Sequence, residues 1–201
     1  MTAQIALPLA WPVAAAPERF IASDANAEAR AHLERWHTWP VKASILVGPR
    51  RSGRSTLAHA FVERTGGRLF DDAERHEEEA LFHAWNRAQE DNLPLLLVAD
   101  RSPPAWDTML PDLRTRLAVT PVATIAEPDD VLFGALLALH FADRGLHLPP
   151  DVARYLTERC ERSYFNAERL VERIDRHVLA SGARLSIPTV RAALHLQGQA
   201  A

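Results

Sequence analysis

The sequence predicts an α/β fold, in which a parallel sheet carries helices on its faces and a helical unit follows. Three observations predict it. An apolar segment, 43–47, runs into a glycine-containing turn and then into an amphipathic helix. A second apolar run, 93–99, is typical of a strand that is buried on both faces. From Asp129 onward the apolar spacing is helical only, so the sheet is expected to end before that point.

Composition narrows the class of protein. The 201 residues suit one ordinary domain, or a domain with a small appendage. A net charge of −3 gives no overall basic field, so direct DNA contact is not indicated. The single cysteine, Cys160, excludes an internal disulfide and fits a reducing cytosol, which predicts a cytoplasmic location. No apolar run approaches the roughly 18 residues that span a membrane.

Residues 1–17 are proline-rich and apolar, with neither a helical nor a strand period. We interpret them as a flexible tail. Its stretch 4–9, QIALPL, offers one amide, then apolar anchors, then a proline, as a peptide that docks into a groove would. The alternative is a tail that packs incidentally on the surface. A helix is predicted next over 27–37, with Asp24 or Asn26 as its cap.

The segment 48–56, GPRRSGRST, has the spacing of a Walker A phosphate loop. In such a loop Gly48 and Gly53 let backbone N–H groups turn towards phosphates, and the helix that begins near Ser55 and Thr56 directs its positive end at them. Arg54 stands where lysine is expected, and its planar fork is not equivalent to an ammonium. We therefore expect ADP or ATP with Mg²⁺ to be held weakly or not at all. The alternative is a strand-to-helix turn without a ligand.

Acidic residues follow two of the predicted strands. Asp71 and Asp72 come after a short strand at 68–70, and Asp100 follows the run 93–99. Ligands of α/β sheets collect at the carboxyl ends of the strands, so Asp71 and Asp100 are candidate nucleotide-site residues. Asp71 with Thr56 is the predicted Mg²⁺ pair. Equally, either acid after 68–70 could cap the next helix.

The remaining elements alternate until the sheet ends. An amphipathic helix is predicted at 77–92, and the acidic residues 74–79 at its start suit the helix dipole. A short helix at 110–117 carries Arg114 and Arg116, and 119–125 is the last strand. The helical part is predicted to contain helices at 131–144, 150–161, 164–180 and 188–196. We expect three parts: the tail 1–17, an α/β nucleotide-binding domain 18–127 and a helical lid 128–201.

A phosphate loop, two strand-end acids, an arginine-bearing short helix and a helical lid resemble an AAA+ module. Three stretches narrow this resemblance: FIASDANAEA, ADRSPPAW with LPDLRTRL, and QIALPL. They are similar to the Hda family, the DnaA regulatory inactivators, which are related to the ATPase domain of the DnaA initiator. The resemblance covers nearly the whole chain.

The resemblance implies specific partners and roles. The tail would bind the DNA polymerase III sliding clamp (its β subunit) through a motif matched by Gln4, Leu7, Pro8 and Leu9. Asp100 would occupy the sensor 1 position. Arg116 would be an arginine finger that acts in trans on ATP bound to DnaA, with Arg114 as an alternative. DNA would be reached indirectly through the clamp, no membrane is involved, and a homo-oligomer is possible.

Four departures from the family pattern all concern the chain's own nucleotide site. Arg54 replaces lysine, and the Walker B stretch is only LFDD. The segment 65–77 is too short for a second strand with its helix as well as a Walker B strand, so one βα unit is expected to be lost, leaving about four strands. Phe165 falls where relatives carry a sensor 2 arginine, and Arg162 lies nearby but out of register.

These departures favour a protein that acts on its partner's ATP. The leading hypothesis is a clamp-associated regulator of replication initiation, without enzymatic activity of its own, that stimulates ATP hydrolysis by DnaA and prevents re-initiation. One alternative is a phosphate-loop ATPase or kinase that acts on its own nucleotide. The other is a catalytically silent AAA+ scaffold.

Overall fold

The computed structural model describes residues 20–195. The strands in this range are β1 (Ala43–Val47), β2 (Arg68–Phe70), β3 (Leu95–Ala99) and β4 (Val122–Thr124). The α-helices are α1 (Asp24–Glu34), α2 (Arg54–Thr65), α3 (Glu78–Asp91), α4 (Pro111–Val119), α5 (Asp130–Ala142), α6 (Pro150–Arg159), α7 (Tyr164–Ser181) and α8 (Ile187–His195). The predicted clamp-binding residues Gln4, Leu7, Pro8 and Leu9 lie outside the described range.

The strands form one parallel sheet in the order β2-β3-β1-β4. β1 pairs with β3 from Ala43↔Leu95 to Val47↔Ala99. The predicted fold class is confirmed, including a sheet of four strands followed by helices. From β1 the chain crosses to β2 on one side and later to β4 on the other side, so the winding direction reverses beside β1. The carboxyl end of β1 is therefore at the switch point where α/β sheets bind ligands.

The core lies on both faces of the two central strands. All five residues of β1 and all five of β3 are buried, as expected for strands covered on both sides. The odd-numbered side chains of β1 and β3 pack with Ala84 and Ala88 of α3 and with Leu113 and Leu117 of α4. Since side chains alternate along a strand, the even-numbered ones face the opposite layer.

Helix α1 begins earlier than predicted, and its cap is different. The N-cap residue is Ser23 rather than Asp24 or Asn26. Asn26 is buried, and its side-chain oxygen accepts a hydrogen bond from the Ser23 backbone N–H at 3.1 Å. Asn26 is thus the N3 residue of a capping box, whose side chain bonds back to the N-cap backbone. The sequence alone did not show which residue is the N-cap and which is N3.

The chain divides into two compact units. The first contains residues 20–48 and 53–126 of the described range, with the whole sheet and α1–α4. The second contains 49–52 and 127–195, with α5–α8. Each predicted C-terminal helix starts and ends within two residues of the observed one. Among the described helices, none is both long and apolar enough to cross a membrane.

The second unit is a set of helices with well-formed ends. The Asp129 carboxylate accepts a hydrogen bond from the Leu132 N–H at 2.7 Å and caps α5. Ser163 caps α7 by accepting from the Asn166 N–H at 3.1 Å. Gly145 follows α5 with a φ of 70°, a conformation that glycine adopts at low cost.

Candidate functional site

Glycine is required at positions 48 and 53 of the phosphate loop for two different structural reasons. A Cβ atom on Gly48 would lie 2.9 Å from both Cβ and the carbonyl oxygen of Ile125, so only glycine fits this close approach. Gly53 has a φ of 84° and is the N-cap of α2. The ring of Phe20 lies where a side chain on Gly53 would be placed. The backbone therefore has the strand–turn–helix shape of a phosphate loop.

Arg54 does not point freely towards a ligand. It is the first residue of α2, and its Nη2 donates to Oδ1 of Asp100 at 2.7 Å. Its Nη1 donates to the carbonyl oxygen of Ala99. The Arg54 side chain is 10% exposed, so this ion pair is largely shielded from water. The positive charge at the lysine position of the motif is thus neutralised at the carboxyl end of β3.

Glu74 is a site residue that sequence reasoning missed. Its Oε1 accepts a hydrogen bond from the Asp100 N–H at 2.8 Å. Its Oε2 is buried and has no hydrogen-bond partner among the described residues. We expected Glu74 at the start of the following helix, but it lies in a 3₁₀ turn, Ala73–Arg75, and α3 begins only at Glu78. The signal in the sequence that could have identified Glu74 was its position four residues after β2, close to the carboxyl end of that strand.

Asp71 and Thr56, the residues predicted to bind Mg²⁺, have different surroundings. Asp71 directly follows β2, and its Oδ1 accepts from the Asp72 N–H at 3.0 Å. Ser55 and Thr56 are exposed on the first turn of α2. Within residues 20–195 no group of three or more His, Cys, Asp and Glu side chains could hold a metal ion. The cation at the lysine position, Arg54, is paired with Asp100. The assignment of Mg²⁺ to Thr56 and Asp71 stays a prediction.

The side chain of Arg116 packs against residues of α3. Its Nε donates to Oδ1 of Asn86 at 2.9 Å, and its Nη1 donates to the carbonyl oxygen of Asp112 at 3.1 Å. Its guanidinium carbon is 4.3 Å from the ring centroid of Phe82 and 5.4 Å from that of Trp85. Such contacts with aromatic faces favour a cation and restrict its rotamers.

Arg114 differs from Arg116 in its surroundings. It is exposed, and its Nη2 donates to the backbone carbonyl of Thr108. Two residues apart on a helix, the side chains point in very different directions. Glu78 orders the same region, because its carboxylate oxygens accept from the N–H groups of Met109 and Leu110 at 2.7 and 2.6 Å. The sequence assigned Glu78 only to the acidic residues that suit the helix dipole, whereas its carboxylate also binds the segment that leads into α4.

Comparison with known proteins shows which proteins the C-terminal helices and the fold are similar to. Residues 133–194 match the family model described as "Hda, lid domain". The whole fold is similar to domain III of the replication initiation protein DnaA from Thermotoga maritima, with a TM-score of 0.70 over 88% of this chain and 94% of that one. This part of the second unit is therefore similar to the Hda lid domain, and the fold of the chain is similar to that of DnaA domain III.

Other solved structures share the fold of this chain at low sequence identity. The replication initiator DnaA bound to AMPPCP and single-stranded DNA is 16% identical, with a TM-score of 0.62 over 82% of this chain and 67% of that one. The Holliday junction branch migration motor RuvB from Thermotoga maritima is 17% identical, with a TM-score of 0.60 over 86% of this chain and 66% of that one. The Thermotoga maritima DnaA domain is 13% identical. These likenesses describe the fold alone.

The second unit contains Phe165 and Arg162, the two residues that the family resemblance compares with sensor 2. Phe165 is half-exposed near the start of α7, and Arg162 pairs with Asp130. Cys160 lies between α6 and α7, and burial raises the pKa of its thiol. A thiol with a raised pKa is a poor nucleophile at neutral pH, so the single cysteine does not point to covalent catalysis.

Proposed function

We propose that this Hda-like protein is a clamp-associated regulator of replication initiation that stimulates ATP hydrolysis by DnaA and so prevents re-initiation. The observation that carries the proposal is the Arg54–Asp100 ion pair. A protein that hydrolysed its own nucleotide would need the phosphate-loop cation for the phosphates. Here that cation is paired within the protein, and ADP or ATP with Mg²⁺ in this loop would be a structural ligand at most.

The proposed catalytic residue is Arg116, which is supplied to ATP held by DnaA. A guanidinium offers several N–H donors in a planar fork, which suits the charge that develops on a transferring phosphoryl group. Its seat against Phe82 and Asn86 supports this role, because a side chain with few accessible rotamers loses little entropy when it is presented to a partner. In comparable systems an arginine finger contributes roughly 10³–10⁵ in rate.

The proposed function requires two protein partners, DnaA and the sliding clamp. DnaA supplies the nucleotide, and the sliding clamp holds the regulator near DNA through Gln4, Leu7, Pro8 and Leu9. DNA is then contacted through the clamp, and a cytoplasmic location is consistent with a chain that carries a single cysteine. A homo-oligomer is compatible with this scheme.

The test is the rate of ATP hydrolysis by DnaA with clamp-loaded DNA and each of three variants. Arg116→Ala should reduce the stimulation about 100-fold or more, because the charge and the donors are both lost. Arg116→Lys should recover only a minor part, since an ammonium lacks the fork. Arg87→Ala removes an exposed arginine from α3 and serves as the matched control, with stimulation unchanged. The far-ultraviolet circular dichroism spectrum and the urea unfolding midpoint report folding and should be the same in all three.

Other outcomes would select a different function. Full stimulation by Arg116→Ala together with loss in Arg114→Ala would move the finger to Arg114. Turnover by the purified protein alone, abolished by Thr56→Ala or Asp71→Ala, would favour an ATPase or kinase that uses its own loop. DnaA binding without any stimulation by the parent protein would indicate a silent scaffold.

A further inference from the structure

Arg54, the residue at the lysine position of the phosphate-loop motif, is held by two acceptors at the carboxyl end of β3. Its Nη2 donates to Oδ1 of Asp100 at 2.7 Å, and its Nη1 donates to the carbonyl oxygen of Ala99. The acceptors belong to consecutive residues and match the planar fork of a guanidinium, which presents its donors side by side. Both of these donor groups are therefore directed at the protein itself.

The register of the sheet explains why these acceptors are within reach of the loop. Ala99 lies opposite Val47 in the pairing of β3 with β1. The loop begins at the next residue, Gly48, and Arg54 is the first residue of the helix that follows the loop. The carboxyl end of β3 therefore lies beside the loop. An anion that binds at the lysine position of the motif must compete with Asp100 for the same guanidinium.

A second carboxyl group adds to this competition. Oε1 of Glu74 accepts a hydrogen bond from the Asp100 N–H at 2.8 Å, which places Glu74 beside the ion pair. Oε2 of Glu74 is buried and has no hydrogen-bond partner among the described residues. The side chains of Arg54, Asp100 and Glu74 together carry a formal charge of −1. A poorly hydrated negative charge repels an incoming phosphate more strongly than one in water, because the local dielectric constant is low.

The setting of Arg54 differs from that of its neighbour Arg51 in the loop. The Arg54 side chain is 10% exposed, so separating it from Asp100 leaves a poorly solvated charge without a partner. Arg51 pairs with Glu168 within the second unit, but its side chain is 63% exposed, and exposed pairs contribute little. The cation at the lysine position is thus the one that is firmly held, and as it stands it does not fit a bound phosphate.

We propose that the Arg54–Asp100 pair is an autoinhibitory contact that keeps the phosphate loop from binding a nucleoside diphosphate or triphosphate. The nucleotide must displace the Asp100 carboxylate before a phosphate can reach Arg54. Its apparent affinity is therefore reduced to the small fraction of molecules in which Arg54 is released. A change that frees Arg54 should increase nucleotide binding. The inference concerns the chain's own loop and does not depend on the proposed action of Arg116 on DnaA.

The experiment measures the affinity of the full chain for fluorescently labelled ADP with Mg²⁺, by fluorescence anisotropy. Asp100→Asn keeps a side-chain oxygen at this position but removes the charge, and its affinity for ADP should rise about tenfold or more above that of the parent. Adding Arg54→Ala to this variant should abolish the gain. Arg54→Ala alone should change the weak binding of the parent little. The difference between the two effects of Arg54→Ala is the coupling that the proposal predicts.

A matched variant controls for charge. Asp72→Asn removes a carboxylate that follows the neighbouring strand β2 and pairs with Arg75 at 3.8 Å, and this variant should bind ADP like the parent. Equal gains in Asp72→Asn and Asp100→Asn would overturn the proposal, because they would show an effect of net charge. A gain that persists without Arg54 would also overturn it, since the exposed Arg50 or Arg51 would then account for the binding.

The far-ultraviolet circular dichroism spectrum and urea unfolding show whether each variant is folded. If Asp100→Asn does not fold, Asp100→Ser is measured in its place with the same expectations. A folded variant that binds ADP no better than the parent would overturn the proposal. So would a parent that binds ADP at micromolar concentration and loses this binding on Arg54→Ala. Stimulation of DnaA by the parent tests the proposed function separately, so the failure of either proposal can be recognised.

Discussion

Arg54 and Asp100 determine the electrostatics of the phosphate loop. The arginine is the first residue of α2 and the aspartate follows β3, so the pair joins two elements 46 positions apart in the chain. A buried ion pair is costly to break, because the remaining charge is left in a poorly solvated position. The pair therefore holds the start of α2 to the end of β3 while it removes the cation from the phosphate position.

A double-mutant cycle on Arg54 and Asp100 should show strong coupling. We expect Arg54→Ala, Asp100→Ala and the double variant to give a coupling free energy of about 1–3 kcal/mol in urea unfolding. The physical reason is the low exposure of the two side chains, 10% and 29%. The exposed pair Arg176 and Glu172 is the control cycle, with expected coupling of about 0.3–0.5 kcal/mol.

Equal coupling in the two cycles would contradict the description of Arg54 and Asp100 as a shielded pair.

The sequence showed that Arg54 breaks the Walker A pattern, but it did not show where the guanidinium would bind. A long side chain finds its partner among groups brought close by the sheet order. That order places β3 directly beside β1, so the end of β3 is within reach of the start of α2.

Helix α1 is attached to the sheet by a partly buried histidine. His32 Nε2 and Ser44 Oγ are 2.8 Å apart, and Ser44 donates to the carbonyl oxygen of Pro121 at 3.0 Å. Since the serine proton is used in that second bond, Nε2 carries the proton and donates to Ser44. Burial lowers the pKa of His32, and the charge of Arg35 lowers it further.

The stability of the chain should depend on pH through His32. Because the folded-state pKa lies below the usual value of about 6.5, the unfolded chain binds the proton more readily. The contribution of neutral His32 is fully present above that value and is lost as the pH falls below it. Urea unfolding between neutral and mildly acidic pH should show this loss in the parent and a reduced loss in His32→Gln.

The control for this element is His59→Gln, which changes an exposed histidine on α2 and should keep the pH dependence of the parent. Identical pH profiles for His32→Gln and the parent would contradict the role of His32. The bounds of α5–α8 were predicted within two residues from apolar spacing, because the period of a helix is a local property, whereas α1 begins and ends three residues before its predicted bounds. The caps were not, because Ser23, Asp24 and Asn26 are all good capping residues and only the folded chain selects among them.

The whole chain combines a fold similar to that of DnaA domain III with an N-terminal stretch, 1–19, that lies outside the described residues. We expect the tail to supply clamp binding, since a proline-containing peptide with apolar anchors loses little entropy when it docks. Replacing Gln4, Leu7 and Leu9 together by alanine should abolish micromolar binding to the sliding clamp, measured by calorimetry. The triple variant Trp11→Ala, Pro12→Ala, Val13→Ala changes the neighbouring part of the tail and should bind normally.

Clamp binding that survives in the first variant, or that is lost equally in both, would contradict a specific docking motif at 4–9. Either result would leave the AAA+ fold and the finger proposal in place, because they depend on other residues. The connection between α2 and α3 contains the edge strand β2, and β1 and β3 are completely buried in this sheet of four strands. The loss of one βα unit relative to the family stays a prediction.

Sequence patterns were enough to specify the fold class, the four parallel strands, the helical C-terminal part and the departure at Arg54, since these follow from local apolar periods, glycine positions and motif spacing. The folded chain was needed to show that Arg54 binds Asp100, that Glu74 supports Asp100, and that Arg116 is seated on Phe82 and Asn86. Long polar side chains reach partners that are distant in sequence. Those partners are set by strand order and helix packing, which a single sequence encodes only through the complete fold.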